Sequence, residues 1–190
     1  MIPTFLQSYF QKHNLRPFES AWLLYAHSLA FIGLLYTLFF AEKPLQVIFN
    51  LLQVFLVFLF FWVAYAVGIT GGSHRLWSHK SYSASQPLKI FLMLLNSGAN
   101  QGSIYHWSRD HRLHHKFSDT DLDPHSIKKG FFFAHVGWLL LKKDPKLIEE
   151  GRKIDMSDLQ KDKVVMWQKK YYPFISIFMC FILPSNCCVI

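Results

Sequence analysis

Cysteine is scarce in this 190-residue sequence: the three present, Cys180, Cys187 and Cys188, all lie at the C-terminal end. That distribution excludes a disulfide framework and a thiolate metal site, so any metal must be held by nitrogen and oxygen. Formal charge is missing over two long stretches. No Asp, Glu, Lys or Arg occurs from 22 to 40 or from 45 to 69, and each run has the length, about 17–25 residues, that crosses a hydrocarbon core. Acids are few, 12 against 20 Lys and Arg for a net charge of +8. The cations nevertheless form no single patch, because they are spread from Arg75 to Lys170 with ten acids among them, which argues against nucleic acid as a partner.

What is abundant is apolar and aromatic, at 52% and 17% of residues, more than a soluble domain of this size carries. We therefore expect an all-α integral membrane protein with transmembrane helices at about 22–40 and 45–69. Only Ala41, Glu42, Lys43 and Pro44 separate the two, so they are expected to form an antiparallel hairpin with both outer ends in one compartment. Seventeen of the 20 cations follow the second run, and positive residues mark the cytosolic side. Residues 70–170 should then be a cytosolic helical cap. The first 18 residues lack a compact apolar core followed by small residues, and the first apolar run is expected to act as the signal anchor.

Gln46, Asn50 and Gln53 follow i, i+4, i+7 spacing and would form one polar stripe on the second helix. Residues 88–99 are apolar but too short to cross a bilayer, which suggests an interfacial or buried helix. Ser118 to Lys129 reads as a loop, and Lys142 to Lys170 as a charged amphipathic region starting at Asp144-Pro145. A partial third apolar helix is expected over 171–183, and 1–190 reads as one domain.

Ten histidines are present, eight of them between His74 and His135. In His111-Arg-Leu-His114-His115 the i, i+3 and i+4 relations put three imidazoles on one face of a helix. Neutral imidazoles grouped in this way invite a cation such as iron, zinc, copper or nickel. His74 and His79 are five apart, a spacing that a straight α-helix would not aim at one point. A bend near Gly71 and Gly72 is expected to bring the pair to a centre shared with the triplet. Five nitrogens exceed the four ligands of a structural zinc, leaving two metals, or one metal with open positions. His13, His27, His106, His125 and His135 are read as ordinary solvated or hydrogen-bonded residues.

The segments Gly68-Ile-Thr-Gly-Gly-Ser-His-Arg-Leu-Trp-Ser-His79, Trp107-Ser-Arg-Asp-His-Arg-Leu-His-His-Lys-Phe117, Asp123-Pro-His125 and Gly130-Phe-Phe-Phe-Ala-His-Val-Gly-Trp138 resemble those of the membrane fatty acyl-CoA desaturases, the stearoyl-CoA (delta-9) family, and the insect members most. The resemblance runs from about Trp22 to Pro184. It implies a di-iron enzyme of the endoplasmic reticulum membrane that desaturates a fatty acyl-CoA with O2. Electrons would come from cytochrome b5 and its NADH-dependent reductase. It further implies His74, His79, His111, His114 and His115 as iron ligands, and Arg109, Asp110, Lys142 and Lys143 as contacts to the CoA. Gly102 and Leu23 stand where relatives carry Asn.

Relatives continue through further helices and a third histidine box, so the chain reads as C-terminally truncated. The alternative is therefore a catalytically inactive product that binds metal partially or modulates full-length desaturase. Cys187-Cys188-Val189-Ile190 also matches a prenylation pattern, read as accidental.

Overall fold

The computed structural model describes residues 14–40 and 44–187, and among them it is helical with no strand. The expectations concerning His13, the connector at 41–43, the side chain of Gln46 and the final residues 188–190 lie outside the described residues. The chain divides into two compact units, Met1–Val47 with Lys116–Arg152, and Ile48–His115 with Lys153–Ile190.

Helix α1 (Pro17–Phe40) and helix α2 (Pro44–Val67) match the two charge-free runs. Both are long and apolar enough to cross a membrane. Many of their large side chains are largely exposed, Phe31, Phe39 and Phe60 among them. In water such a surface would be untenable, whereas in hydrocarbon it is the expected one. Three polar side chains within the spans bond back to carbonyls of their own helix, which suits a bilayer. Thr37 donates to the Gly33 carbonyl, Thr70 donates to that of Ala66, and His27 Nδ1 lies 2.7 Å from the Leu23 carbonyl.

In the first unit, the residues just before α1 are tied to a later segment by backbone hydrogen bonds. Arg16 N–H donates to the Leu140 carbonyl and Lys142 N–H to that of Asn14, with Leu15 and Leu141 bridged antiparallel. The segment contains a short π-helix, Phe133–Gly137, running into helix α5 (Trp138–Leu140). Helix α6 (Pro145–Arg152) starts where Asp144 and Pro145 signal it, with Asp144 Oδ1 accepting from Lys146 N–H.

The second unit holds the core. Helix α2 runs on without a break through Gly71 and Gly72 as a π-helix, Gly68–Ser78. Helix α3 (Gln86–Gly98) packs on that π-helix and on helix α8 (Lys163–Ile177), which follows the short helix α7 (Ser157–Lys161), while helix α4 (Ile104–Phe117) carries the histidine triplet. Leu76, Trp77, Leu92, Met93, Ile104, Met156, Leu159 and Val165 form one apolar cluster. The apolar run over 171–183 is helical as expected, continuing α8 through Pro173 into a further π-turn, Phe178–Ile182.

Two glycines set how closely α3 approaches. A Cβ at Gly68 would lie 2.3 Å from Asn96 N and 2.4 Å from Leu95 C, and one at Gly98 would lie 2.2 Å from the Tyr65 ring. Backbone therefore meets backbone, as small residues permit in membrane helices. Close approach leaves buried polar groups, and they are paired. Gln168, fully buried, donates to Asn96 Oδ1 and to Ser97 Oγ and accepts from Ile104 N–H, while Asn96 donates to Ser73 Oγ.

One residue of α8 thus joins α3 to the start of α4, and through Asn96 to the π-helix. Gln168→Ala would strand several buried groups at about 1–3 kcal/mol each. We expect a loss of about 3 kcal/mol or more, seen as an earlier unfolding midpoint in detergent. A change below about 0.5 kcal/mol would show that water replaces the amide.

Candidate metal centre

The π-helix resolves the five-residue spacing of His74 and His79. With i→i+5 hydrogen bonding, five residues make slightly more than one turn, so the two imidazoles share a face that an α-helix would deny them. The bond that does this is present: His79 N–H donates to the His74 carbonyl at 3.0 Å. Ser78 Oγ donates to the Ser73 carbonyl at 2.6 Å, reinforcing the wide turn. The opposite face, Gly72, Ser73, Leu76 and Trp77, is buried against the core.

Helix α4 buries Ile104, Ser108 and Leu113, which turns His111 and His115 toward the same point. His79 Nε2 lies 3.1 Å from His74 Nε2 and 3.0 Å from His111 Nε2, and His115 Nε2 is 3.1 Å from His111 Nε2. A donor nitrogen from each of the four falls within 4.8 Å of every other. His114 stands outside this group, its ring 6.2 Å from that of His111 and 5.5 Å from that of His115.

These distances fit an ion. Nitrogens bound to one metal at about 2.1 Å and about 90° apart lie about 3.0 Å from each other. The protonation state fits as well. Burial, and then the neighbouring His115, His74, His79 and His114, pushes His111 down to about 3. Burial, then His74, His115 and Arg112, lowers His79. Neutral imidazole is the ligand form.

For the metal-free protein the sign follows directly. Below pH 6.5 the unfolded chain takes up a proton at residue 111 that the folded one refuses until about pH 3, so stability falls with pH across that window. We expect the unfolding midpoint to drop between pH 6.5 and pH 4, and His111→Gln to flatten that slope. An unchanged slope in His111→Gln would assign the pH dependence elsewhere.

Residues that sequence reasoning passed over hold the two helices in place. Arg112, between the triplet's histidines, makes a two-pronged pair with Asp158, at 3.0 and 2.7 Å, and donates to the Trp77 carbonyl at 2.7 Å. It thereby fastens α4 to the end of the π-helix. Burial would raise Asp158, but hydrogen bonds from Arg112 and Lys80 overcome it and hold the carboxyl at about 2. Trp77 Nε1 and Lys89 both donate to Asp162, which caps the N-terminus of α8. Trp107 stacks on His111 at 4.8 Å. Its i−4 position was the one local signal available. The aspartates, 46 and 85 positions from their partners, had none.

Among the other residues singled out, Arg109 pairs with Asp110 at 3.1 Å on α4. Lys142 and Lys143 belong to the other unit. His106 Nδ1 is 3.0 Å from Ser103 Oγ, a local partnership that suits an ordinary role; the His125 backbone N–H donates to Asp123, and its imidazole Nδ1 lies 3.8 Å from the same carboxylate.

No family model matches the chain. Individual proteins do. An acyl-CoA desaturase of Cyprinus carpio is 61% identical over 120 residues, 63% of this chain and 37% of the relative. An acyl-CoA Delta-9 desaturase of Acheta domesticus is 58% identical over 120 residues, 63% of this chain and 33% of the relative. Over the matched residues the chain belongs to the acyl-CoA desaturase family.

A Delta(9)-fatty-acid desaturase of Caenorhabditis elegans extends the match to 159 residues at 52% identity, 84% of this chain and 44% of the relative. The chain thus spans a third to under half the length of the curated desaturases it matches. The two histidine-bearing helices of this chain are where a metal fits.

Proposed function

We propose that this chain supplies the first two histidine boxes of an acyl-CoA desaturase, which introduces a cis double bond into a saturated fatty acyl-CoA using O2. The observation that carries the reading is the convergence of His74, His79, His111 and His115 Nε2 atoms from two helices. On this reading they hold one iron, and His114 serves a second. Iron, when bound, supplies the oxidising power that an unactivated methylene requires.

The chain's own residues do the rest. The π-helix and α4 fix the imidazoles, and Arg112 with Asp158 locks the two together. An apolar cavity of about 840 Å³ in the same unit, lined by Phe58, Phe61, Trp62, Ile69 and Thr70 among others, offers a dry space for an acyl chain. It ends on the π-helix one turn before His74. Arg109 and Asp110, with Lys142 and Lys143, would contact the CoA, where cations suit its phosphates. Electrons would come from cytochrome b5 and its reductase, at the endoplasmic reticulum membrane with the histidines facing the cytosol.

The test is a graft of the 159 matched residues in place of the matching segment of the Caenorhabditis elegans relative, expressed in desaturase-deficient cells. Monounsaturated acyl products are expected, and a well-folded graft that makes none would overturn the assignment. A second reading is a non-catalytic partner of full-length desaturase. It has in its favour that the clustered nitrogens, four in number, account for the ligands of one ion. Iron per chain separates the readings: two for the complete site, none or one for the partner.

A further inference from the structure

The segment tied to the start of α1 carries an aromatic and basic tip that the proposed chemistry leaves unused. Phe131 and Phe132 are 76% and 67% exposed, and Ile127 is 54% exposed. Lys128 and Lys129 lie between them in sequence, and Gly130, at φ +93°, ends the short helical turn Ile127–Lys129 just before the phenylalanines. The Phe131 ring stacks flat on His135 at 5.5 Å, and Lys129 Nζ sits 5.1 Å above Phe133. Solvent-facing phenylalanine pairs are costly in water, and a tip that joins apolar rings to cations matches a bilayer interface, apolar below and anionic above.

Position supports the same occupant. Leu140, Leu141 and Lys142 are bonded through backbone to Asn14, Leu15 and Arg16. Pro17 opens α1 immediately afterwards, and Phe18, Trp22 and Tyr25, all exposed, form an aromatic group on its first turns, where membrane helices carry their interfacial belt. The tip is therefore held within one short segment of the level at which α1 enters the membrane.

We propose that the Ile127–Phe132 tip is a membrane anchor, its phenylalanines set among the outer acyl-chain carbons and its lysines among anionic lipid headgroups. The proposal rests on α1 crossing the bilayer.

The test uses the full chain, with its three cysteines replaced by serine, in vesicles of phosphatidylcholine with and without phosphatidylserine. A nitroxide is attached at Phe131→Cys, Phe132→Cys or, on α1, Phe31→Cys. Collisions with oxygen, which concentrates in lipid, are compared with collisions with a water-soluble nickel chelate. At 131 and 132 the oxygen-to-nickel ratio should rise several-fold above that of free label, and rise further with phosphatidylserine. Lys128→Gln with Lys129→Gln should abolish the serine-lipid increment.

A ratio equal to that of free label overturns the proposal, and so does low access to both reagents, which would mean that protein covers the tip. If the label at 31 also reads as aqueous, the membrane-crossing reading of α1 fails together with it. If 31 reads as lipid while 131 and 132 do not, the anchor alone is wrong.

Discussion

His111→Ala is expected to lower the chain's iron affinity by more than about 100-fold, whereas His114→Ala should leave the first ion in place. Outer-shell changes alone cost roughly 10–100-fold in metal affinity, and His111 is no outer group. Its Nε2 lies 3.0 Å from that of His79 and 3.1 Å from that of His115, which makes it the meeting point of the two helices' donors. His114 sits on the same helix but outside the four-nitrogen group, so its loss should reduce the number of ions bound more than the affinity for the first. Iron per chain after dialysis against a metal buffer, measured at several free-iron levels, distinguishes the two. Equal losses from both variants would show that the four nitrogens are not a unit.

Gly68→Ala should be the most damaging single methyl group that can be added among the helices of the second unit. The new Cβ would fall 2.3 Å from Asn96 N and 2.4 Å from Leu95 C. These are backbone atoms that cannot swing aside, so α3 itself must retreat. Overpacking costs typically about 1–3 kcal/mol where side chains can adjust, and here we expect about 3 kcal/mol or more. Retreat would also stretch the Asn96–Ser73 bond and loosen the wide turn that holds His74 and His79 together.

The matched control is Gly33→Ala on α1, where nothing lies within 4 Å of the new Cβ. Relief of glycine's backbone entropy should make that change neutral or stabilising by about 0.5–1 kcal/mol. Thermal unfolding in detergent reads both. A Gly68→Ala protein as stable as the parent would mean that the helices are not packed backbone to backbone.

Much of the candidate site was legible because it is local. Three histidines at i, i+3 and i+4 share a helix face whatever surrounds the helix, and a charge-free run long enough to span hydrocarbon is a membrane candidate on composition alone. The spacing of His74 and His79 could not be read the same way. Sequence alone suggested a bend at Gly71 and Gly72; the structure has a continuous π-helix, in which the same five residues close one turn. Asp158, Asp162 and Gln168 escaped notice for a related reason: nothing beside them in the chain reveals the Arg112, Trp77 and Asn96 they meet.

The sequence by itself therefore determined the apolar spans, the imidazole-bearing face of α4 and the family likeness, all of which follow from side-chain identity at short spacing. Tertiary structure decided the winding of the helix beneath His74 and His79, and which four of the five histidines converge. The physical reason is that an i→i+5 turn is a poor choice for an isolated helix. Here the Gly68 contact with α3 and the buried Ser73–Asn96–Gln168 bonds support it, and these are contacts between segments far apart in the chain.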